Sequence, residues 1–361
     1  MKQCNNVAMI LSAISLQNFR NYELETFHFD PQTTIVIGPN TAGKSNLIEA
    51  IYLTSTGKSF RSEKDEELLR FKKDFARVKS ILIDQKSKDK TETEVLFSFR
   101  EGIESFLTKK YFINGVTKRR ADFAGHLLSV LFVPADLEII IAGPSVRRNF
   151  LDDVLEQTDR DYRLAVISYT KALRQRNALL GLAKETGKRN SEQFSFWDEI
   201  LIRTGQEIEK KREEFIEFVN SAEKTCIPFA IEYGRSSISI ARLLQYKDAE
   251  VGAGVTLVGP HRDDFVVNLL IGESRRNMKS FGSRGQQRLS VLELKMLQLN
   301  YIEQQTKKRP ALLLDDIFSE LDDEHIELVL SLIGKQQTIL TTTHEEFVKG
   351  KIGKKARTIR L

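Results

Sequence analysis

The feature that most constrains this chain is the segment Gly38-Pro39-Asn40-Thr41-Ala42-Gly43-Lys44-Ser45, which fits the pattern G-x-x-x-x-G-K-[ST]. A β-branched stretch, Ile35-Val36-Ile37, leads into it, and a helix-like stretch from Asn46 to Leu53 follows. Motif and context agree. They commit this part of the chain to an α/β fold in which a loop and a helix N-terminus turn their N–H groups toward a β-phosphate. Lys44 supplies a point charge and the Ser45 hydroxyl a ligand for Mg²⁺, so the loop by itself expects a phosphate held with Mg²⁺, and the further motifs below narrow this to ATP. A plain strand-to-helix turn is the bland alternative, and the flanking elements speak against it.

The second half of such a site is also legible. An apolar run, Ala311 to Leu314, ends in Asp315 and Asp316, as a buried strand does where it meets a ligand crevice. On that reading Asp315 holds Mg²⁺ and Asp316 orients or activates the attacking water. Just upstream, Ser280-Phe281-Gly282-Ser283-Arg284-Gly285-Gln286 opens a long helix, Gln287 to Gln304. Ser283, Gly285 and Gln286 form either a second anion site at that helix N-terminus or an ordinary N-cap by Ser283. His344, after the β-rich run Thr338 to Thr343, is either a γ-phosphate sensor or a surface histidine.

Between these motifs the periodicity changes. Strand-like sequence fills Ile10 to Ile37, with turns near Asn18 to Tyr22, and recurs at Arg77 to Asp84, Glu94 to Phe99 and Lys110 to Ile113. After Gly143-Pro144, apolar residues fall at helical spacing: Tyr162, Val166, Tyr169, Leu173 and Leu180, then Trp197, Leu201, Ile208, Phe215 and Phe218. The turn-like stretch Lys184 to Ser191 separates the two sets. The economical reading is an antiparallel helical arm, residues 143–226, inserted into an α/β head made of 1–142 and 227–361. Unrelated helices packed on the core are the alternative. Strand-like sequence returns at Ile227 to Tyr233, Val255 to Leu257 and Phe265 to Leu270.

Composition sets outer limits. The net charge of +5 is compatible with a polyanionic partner without requiring one. Cys4 and Cys226 lie far apart with no metal-site spacing, which fits a reduced, cytoplasmic setting. No apolar run is long enough to span a membrane, and Met1 to Ala8 do not read as an export signal. Met9 opens a strand directly, so residues 1–8 read as an extension or Met9 as an alternative start.

Several further segments resemble the RecF family of bacterial recombination mediators, a branch of the ABC/SMC-type ATPases. They are Leu16-Gln17-Asn18-Phe19-Arg20-Asn21-Tyr22, Asn46 to Tyr52, Gly57-Lys58-Ser59-Phe60-Arg61, Phe132 to Leu137, Gly143 to Asp152 and Val258-Gly259-Pro260-His261-Arg262-Asp263-Asp264. The resemblance implies an ABC-type head with an inserted helical arm, and a signature at Ser283 to Gln286 that closes over ATP on the P-loop of a second copy. It implies an ATP-dependent homodimer on double-stranded and gapped DNA, and a weak, DNA-stimulated ATPase. It also implies work with RecR and RecO toward loading RecA. Ser319 to Asp322 are similar to the family's D-loop, and His344 to its switch histidine. Thr41 departs from the pattern by placing a β-branched residue where the loop usually has glycine. Asp316 stands where many ABC proteins carry glutamate, so slow turnover is expected, with ATP acting mainly as a clamp.

Basic clusters at Lys72-Lys73, Lys109-Lys110, Lys118 to Arg120, Arg147-Arg148, Lys210 to Arg212, Lys307 to Arg309 and in the tail from Lys349 are either solvated surface or a phosphate track. No motif for base-specific reading is present. A transporter subunit shares the P-loop, signature and acidic strand but lacks the arm and the opening segment. An SMC-like or ABC-type ATPase of another DNA-processing complex, or a junction binder whose ATP site only gates assembly, are the remaining alternatives.

Overall fold

Two kinds of sheet follow from two kinds of strand. In a computed structural model that describes residues 9–100, 106–319, 323–343 and 356–361, the strands are β1 (Met9–Phe19), β2 (Tyr22–His28), β3 (Thr33–Ile37), β4 (Phe75–Asp84), β5 (Lys90–Arg100), β6 (Phe106–Ile113), β7 (Val116–Lys118), β8 (Ser129–Phe132), β9 (Phe229–Gly234), β10 (Asp264–Ile271), β11 (Ser274–Asn277), β12 (Ala311–Asp315), β13 (Thr338–Thr342) and β14 (Arg357–Arg360). The runs β3, β12 and β13 are buried throughout and join β8 and β14 in a parallel sheet ordered β14-β3-β13-β12-β8. In contrast, β4 alternates: Ala76, Val78, Ser80 and Leu82 are buried, while Arg77 and Lys79 pair outward with Glu94 and Glu92 of β5. That alternation suits an antiparallel sheet, ordered β2-β1-β4-β5-β6-β7.

The helix Lys44–Thr56 lies between the two sheets, packed on β4 and β5 of one and on β8, β12 and β13 of the other. Because it is enclosed on both sides it buries every residue from Leu47 to Thr56, among them the apolar Leu47, Ile48, Ala50, Ile51, Tyr52 and Leu53. At about 1.5–3 kcal/mol for each large side chain, this burial fixes the helix start, and with it the P-loop, to the core.

The chain divides into two compact units, residues 1–136 with 298–361, and residues 137–297. This differs from an excursion confined to 143–226: residues 227–297 group with the helices rather than with the parallel sheet. The cause is a set of bonds within the second unit. Asn220 pairs its carboxamide with the backbone of Ile231 in β9, at 2.8 and 2.7 Å. Glu293 accepts from the amides of Thr225 and Cys226. The guanidinium of Arg147 binds Asp264 of β10 through two bonds of 2.6 and 3.0 Å.

Within that unit the helices Arg160–Thr186 and Ser191–Ser221 pack against each other as the helical spacing predicts. Gly187, at φ 70°, ends the first, and the Asn190 carboxamide caps the second by accepting from Glu192 and Gln193 amides. A buried hub ties them to later chain: Arg176 donates to Asp198 and Glu250, both at 2.6 Å, and to Thr256. The expected strand Val255 to Leu257 is a loop. Its amides are taken by side chains instead of a ladder, Thr256 by Asn177 at 2.8 Å and Leu257 by Glu250 at 2.9 Å. Among the described residues no helix is long and apolar enough to cross a membrane.

Candidate nucleotide site

The P-loop is shaped by two backbone positions. Gly43 sits at φ 109°, and a Cβ there would meet Asn21 Nδ2 at 2.6 Å and Tyr22 Oη at 2.9 Å, so glycine is required for conformation and for space. Thr41 takes φ 72° despite its branched side chain, a conformation that costs roughly 1–2 kcal/mol for a non-glycine residue. Threonine here adopts the positive φ that a glycine at this position takes without strain. No side chain caps the helix that begins at Lys44, and its first turn holds no acid. Its leading N–H groups are therefore the orphan donors that an anion satisfies. The Lys44 ammonium is buried against the loop, donating to Gly38 O at 2.7 Å and Pro39 O at 3.0 Å.

Residues of the opening segment hold this loop from behind. Asn21 Nδ2 donates to Ala42 O, and Tyr22 Oη donates to Gly43 O at 3.0 Å. Asn21 Oδ1 accepts from Asn46, whose own oxygen accepts from Arg61. Next to this chain of bonds the fully buried Glu49 receives Arg20 through two bonds of 2.8 Å and Ser59 at 2.6 Å. Arg20 also reaches Ser62 and, at 2.7 Å, Glu67 O. The three quoted segments around Arg20, Asn46 and Arg61 thus converge on one scaffold. Their roles were not legible from spacing because they lie in separate parts of the chain.

At the end of β12, Asp315 Oδ1 accepts from Ser45 Oγ at 3.1 Å and from Thr341 Oγ1 at 2.8 Å. Thr341 Oγ1 also accepts from the Asp316 amide, and Asp316 takes φ 50°. The parallel register that sets Asp315 beside Thr341 produces this arrangement. Burial pushes the Asp315 carboxyl above the usual carboxylate range; the Thr341 and Ser45 hydroxyls and nearby Arg61 pull the other way. A cation held by Ser45 and Asp315 would offset that penalty, and these donors suit Mg²⁺, which keeps several waters and takes few protein ligands. No cluster of three or more His, Cys, Asp or Glu suited to a metal occurs among the described residues. His344 and the D-loop positions Glu320, Leu321 and Asp322 lie outside the described residues, as do Cys4 and the stretch 344–355 of the basic tail.

Ser283, Gly285 and Gln286 belong to the second unit. There the N-cap reading holds, in reciprocal form: Ser283 Oγ accepts from the Gln286 amide at 3.2 Å, and Gln286 Oε1 accepts from the Ser283 amide at 2.9 Å. In this cap Ser283 Oγ and Gln286 Oε1 serve as acceptors, and the Ser283 O–H and Gln286 NH₂ are the groups that can donate to an anion. Gln287 Nε2 fixes the preceding turn by donating to the carbonyls of Met278, Lys279 and Gly282.

Several of the basic clusters are occupied internally. Arg147 is held by Asp264, and Arg148 donates to Asp263 O. Arg212 is buried against Asp263 and Asp152, and Lys211 pairs with Asp159. Asp263 also accepts from Tyr233 at 2.5 Å and from the Ser236 amide at 2.7 Å. The segments 143–152 and 258–264 are therefore two sides of one buried ionic junction. Elsewhere Lys109 pairs with Asp65, Arg119 with Asp122 and Arg309 with Glu303.

Comparison with known proteins agrees with this geometry. Residues 10–358 match the sequence model of the RecF/RecN/SMC N terminal domain. The DNA replication and repair protein RecF of Agathobacter rectalis is 35% identical over 358 residues, covering 95% of each chain. RecF of Bacillus cereus is 34% identical over 376 residues, 97% of this chain and 96% of that one. A solved structure of the recombination mediator protein RecF-ATP in the RecFOR pathway has a TM-score of 0.84 at 31% identity, covering 96% of this chain and 95% of that one. The chain belongs to the RecF family, within the RecF/RecN/SMC group of ABC-type ATPase heads.

Proposed function

We propose that this protein is an ATP-driven DNA-binding switch of recombinational repair and replication restart. The observation that carries the reading is the junction of P-loop and acidic strand: Ser45 and Thr341 both on Asp315, beside an uncapped helix start and a buried Lys44. In this reading Gly38 to Ser45 wrap the phosphates, and Lys44 leaves its loop carbonyls for phosphate oxygens. Mg²⁺, when bound, supplies positive charge that neutralises the phosphates. Ser45 and Asp315 hold it, and Asp316 orients water.

Ser283, Gly285 and Gln286 of a second copy complete the pocket with hydroxyl, amide and carboxamide donors, giving two identical composite sites across a two-fold axis. Turnover is slow, and ATP serves mainly to close the dimer on duplex or gapped DNA. The relative of known structure acts in the RecFOR pathway; by that relation this protein works with RecO and RecR toward RecA loading at gaps.

Nucleotide binding by the isolated chain tests the assignment of the two halves. Lys44→Met should lose ATP binding by on the order of 100-fold, from hydrogen bonds to a charged group. Ser283→Arg should bind ATP as the wild type does. If Ser283→Arg also lost nucleotide, Ser283 would belong to its own subunit's pocket and the composite-site reading would fail.

A further inference from the structure

One basic stretch differs from those consumed by internal carboxylates. From Ser274 to Leu292 the chain carries Arg275, Arg276, Lys279, Arg284 and Arg288 and no acid. Arg288 is half-buried and the other four are exposed; among the described residues none of them forms an ion pair. The neighbouring acids along the chain are Glu273, in the turn before β11, and Glu293, which is held by Thr225 and Cys226.

The local structure brings these cations to one edge. β11 is the edge strand of the sheet β11-β10-β9. It runs into the short helix Met278–Phe281, which Asn277 caps and Gln287 ties to the start of the long helix Arg284–Thr306. The Arg276 guanidinium stands 5.7 Å from the ring of Phe281, a side chain that is 64% exposed. Arg284 and Arg288 stand one turn apart on the same helix face, where like charges repel, and Arg284 lies at the positive end of the helix dipole with no acid in the first turn. An edge that gathers unpaired cations, places two of them unfavourably and leaves an aromatic ring in water is built for a polyanion that also offers flat or apolar surface.

We propose that this edge is a contact surface for the sugar–phosphate backbone of DNA, with Phe281 packing on a sugar or on a base left unstacked at a gap. The inference rests on the DNA-binding reading above. Ser283 lies within the same segment, so DNA and the nucleotide of a second copy meet the protein on one short stretch of chain. Their binding is then linked, and each changes the affinity for the other by the same factor.

The test measures anisotropy of a labelled duplex bearing a single-strand gap, across a salt series, with the full chain and no nucleotide. Wild type is compared with Arg276→Glu/Lys279→Glu and with Lys72→Glu/Lys73→Glu, an exposed pair in the other unit; circular dichroism melting reports folding. The expected result is an affinity on the order of 10-fold lower for Arg276→Glu/Lys279→Glu, with the log–log salt slope reduced by about two. Lys72→Glu/Lys73→Glu should change both less, and ATP-dependent self-association without DNA should be unaltered in Arg276→Glu/Lys279→Glu. Phe281→Ala should weaken binding to gapped DNA more than to intact duplex. An unchanged affinity and slope in Arg276→Glu/Lys279→Glu overturns the proposal. So does retained DNA binding with loss of ATP-dependent self-association, which would assign the edge to the second copy's nucleotide. If the wild type binds no DNA at any salt, the DNA reading itself falls, and this inference with it.

Discussion

The P-loop and the signature segment make opposite use of their polar groups. Around the P-loop, Asn21, Tyr22, Asn46 and Arg61 are bonded to one another or to the loop, Ser45 and Thr341 both donate to Asp315, and Arg20 paired with the buried Glu49 stands behind them. The signature segment caps only itself, through Ser283 and Gln286, and its stretch of chain carries cations that form no ion pair among the described residues. The first region is preformed to hold a ligand. The second, on the reading proposed above, is completed only when an anion reaches it from outside the chain.

That contrast predicts an order of effects. Arg20→Ala should be the most damaging of the substitutions considered next, because it strands the Glu49 carboxylate in the core; about 3 kcal/mol of stability should disappear in a urea titration. A loss under 1 kcal/mol would mean that Ser59 alone satisfies Glu49 and that Arg20 does not hold the scaffold together. Ser283→Ala should cost only about 1 kcal/mol, the value of one N-cap, measured in the same titration. A cost similar to that of Arg20→Ala would erase the distinction between the regions.

Thr41→Gly sharpens the account of the loop. By removing a branched side chain at φ 72°, it should raise the thermal midpoint by the equivalent of up to about 1 kcal/mol, less what glycine loses to chain entropy. A drop would show that the threonine makes a compensating contact with the nucleotide-free loop.

The smallest effect concerns pH. Burial, with Asp263 second, pushes Glu209 up to about 7, while its Oε1 accepts from the Ile238 amide. A carboxyl whose folded pKa is raised binds its proton more tightly when folded. Stability is therefore highest below the unfolded value and falls as pH rises through about 7. Glu209→Gln should flatten the decline in thermal midpoint between pH 5 and pH 8, and an unchanged decline would place its cause elsewhere.

How much was legible in the sequence depended on whether the signal was local. Gly38 to Ser45, the strand ending at Asp315 and the helix pair around Gly187 are patterns within one window. The motif, the apolar run and the periodicity each identify them without reference to the rest of the chain. Thr341 could not be found that way, because its role comes from a register that places it beside Asp315 across a parallel sheet. Arg20 and Glu49 were visible only as members of family-like segments; their partnership is made by packing. Arg147 and Arg212 were misleading as surface charge, since their carboxylate partners at 263 and 264 are distant in sequence. Val255 to Leu257 read as a strand because its residues are β-prone, yet side chains from elsewhere take its amides.

The central claim, that two copies complete each other's site, has a direct test in mixing. Lys44→Met and Ser283→Arg should each fail to dimerise or turn over ATP alone. A mixture forms heterodimers in which the intact P-loop of one chain faces the intact signature of the other, so one composite site returns. The account predicts that light scattering and ATP turnover both recover in the mixture, to no more than half the wild-type activity. A mixture as inactive as its components, with both variants folded, would contradict it.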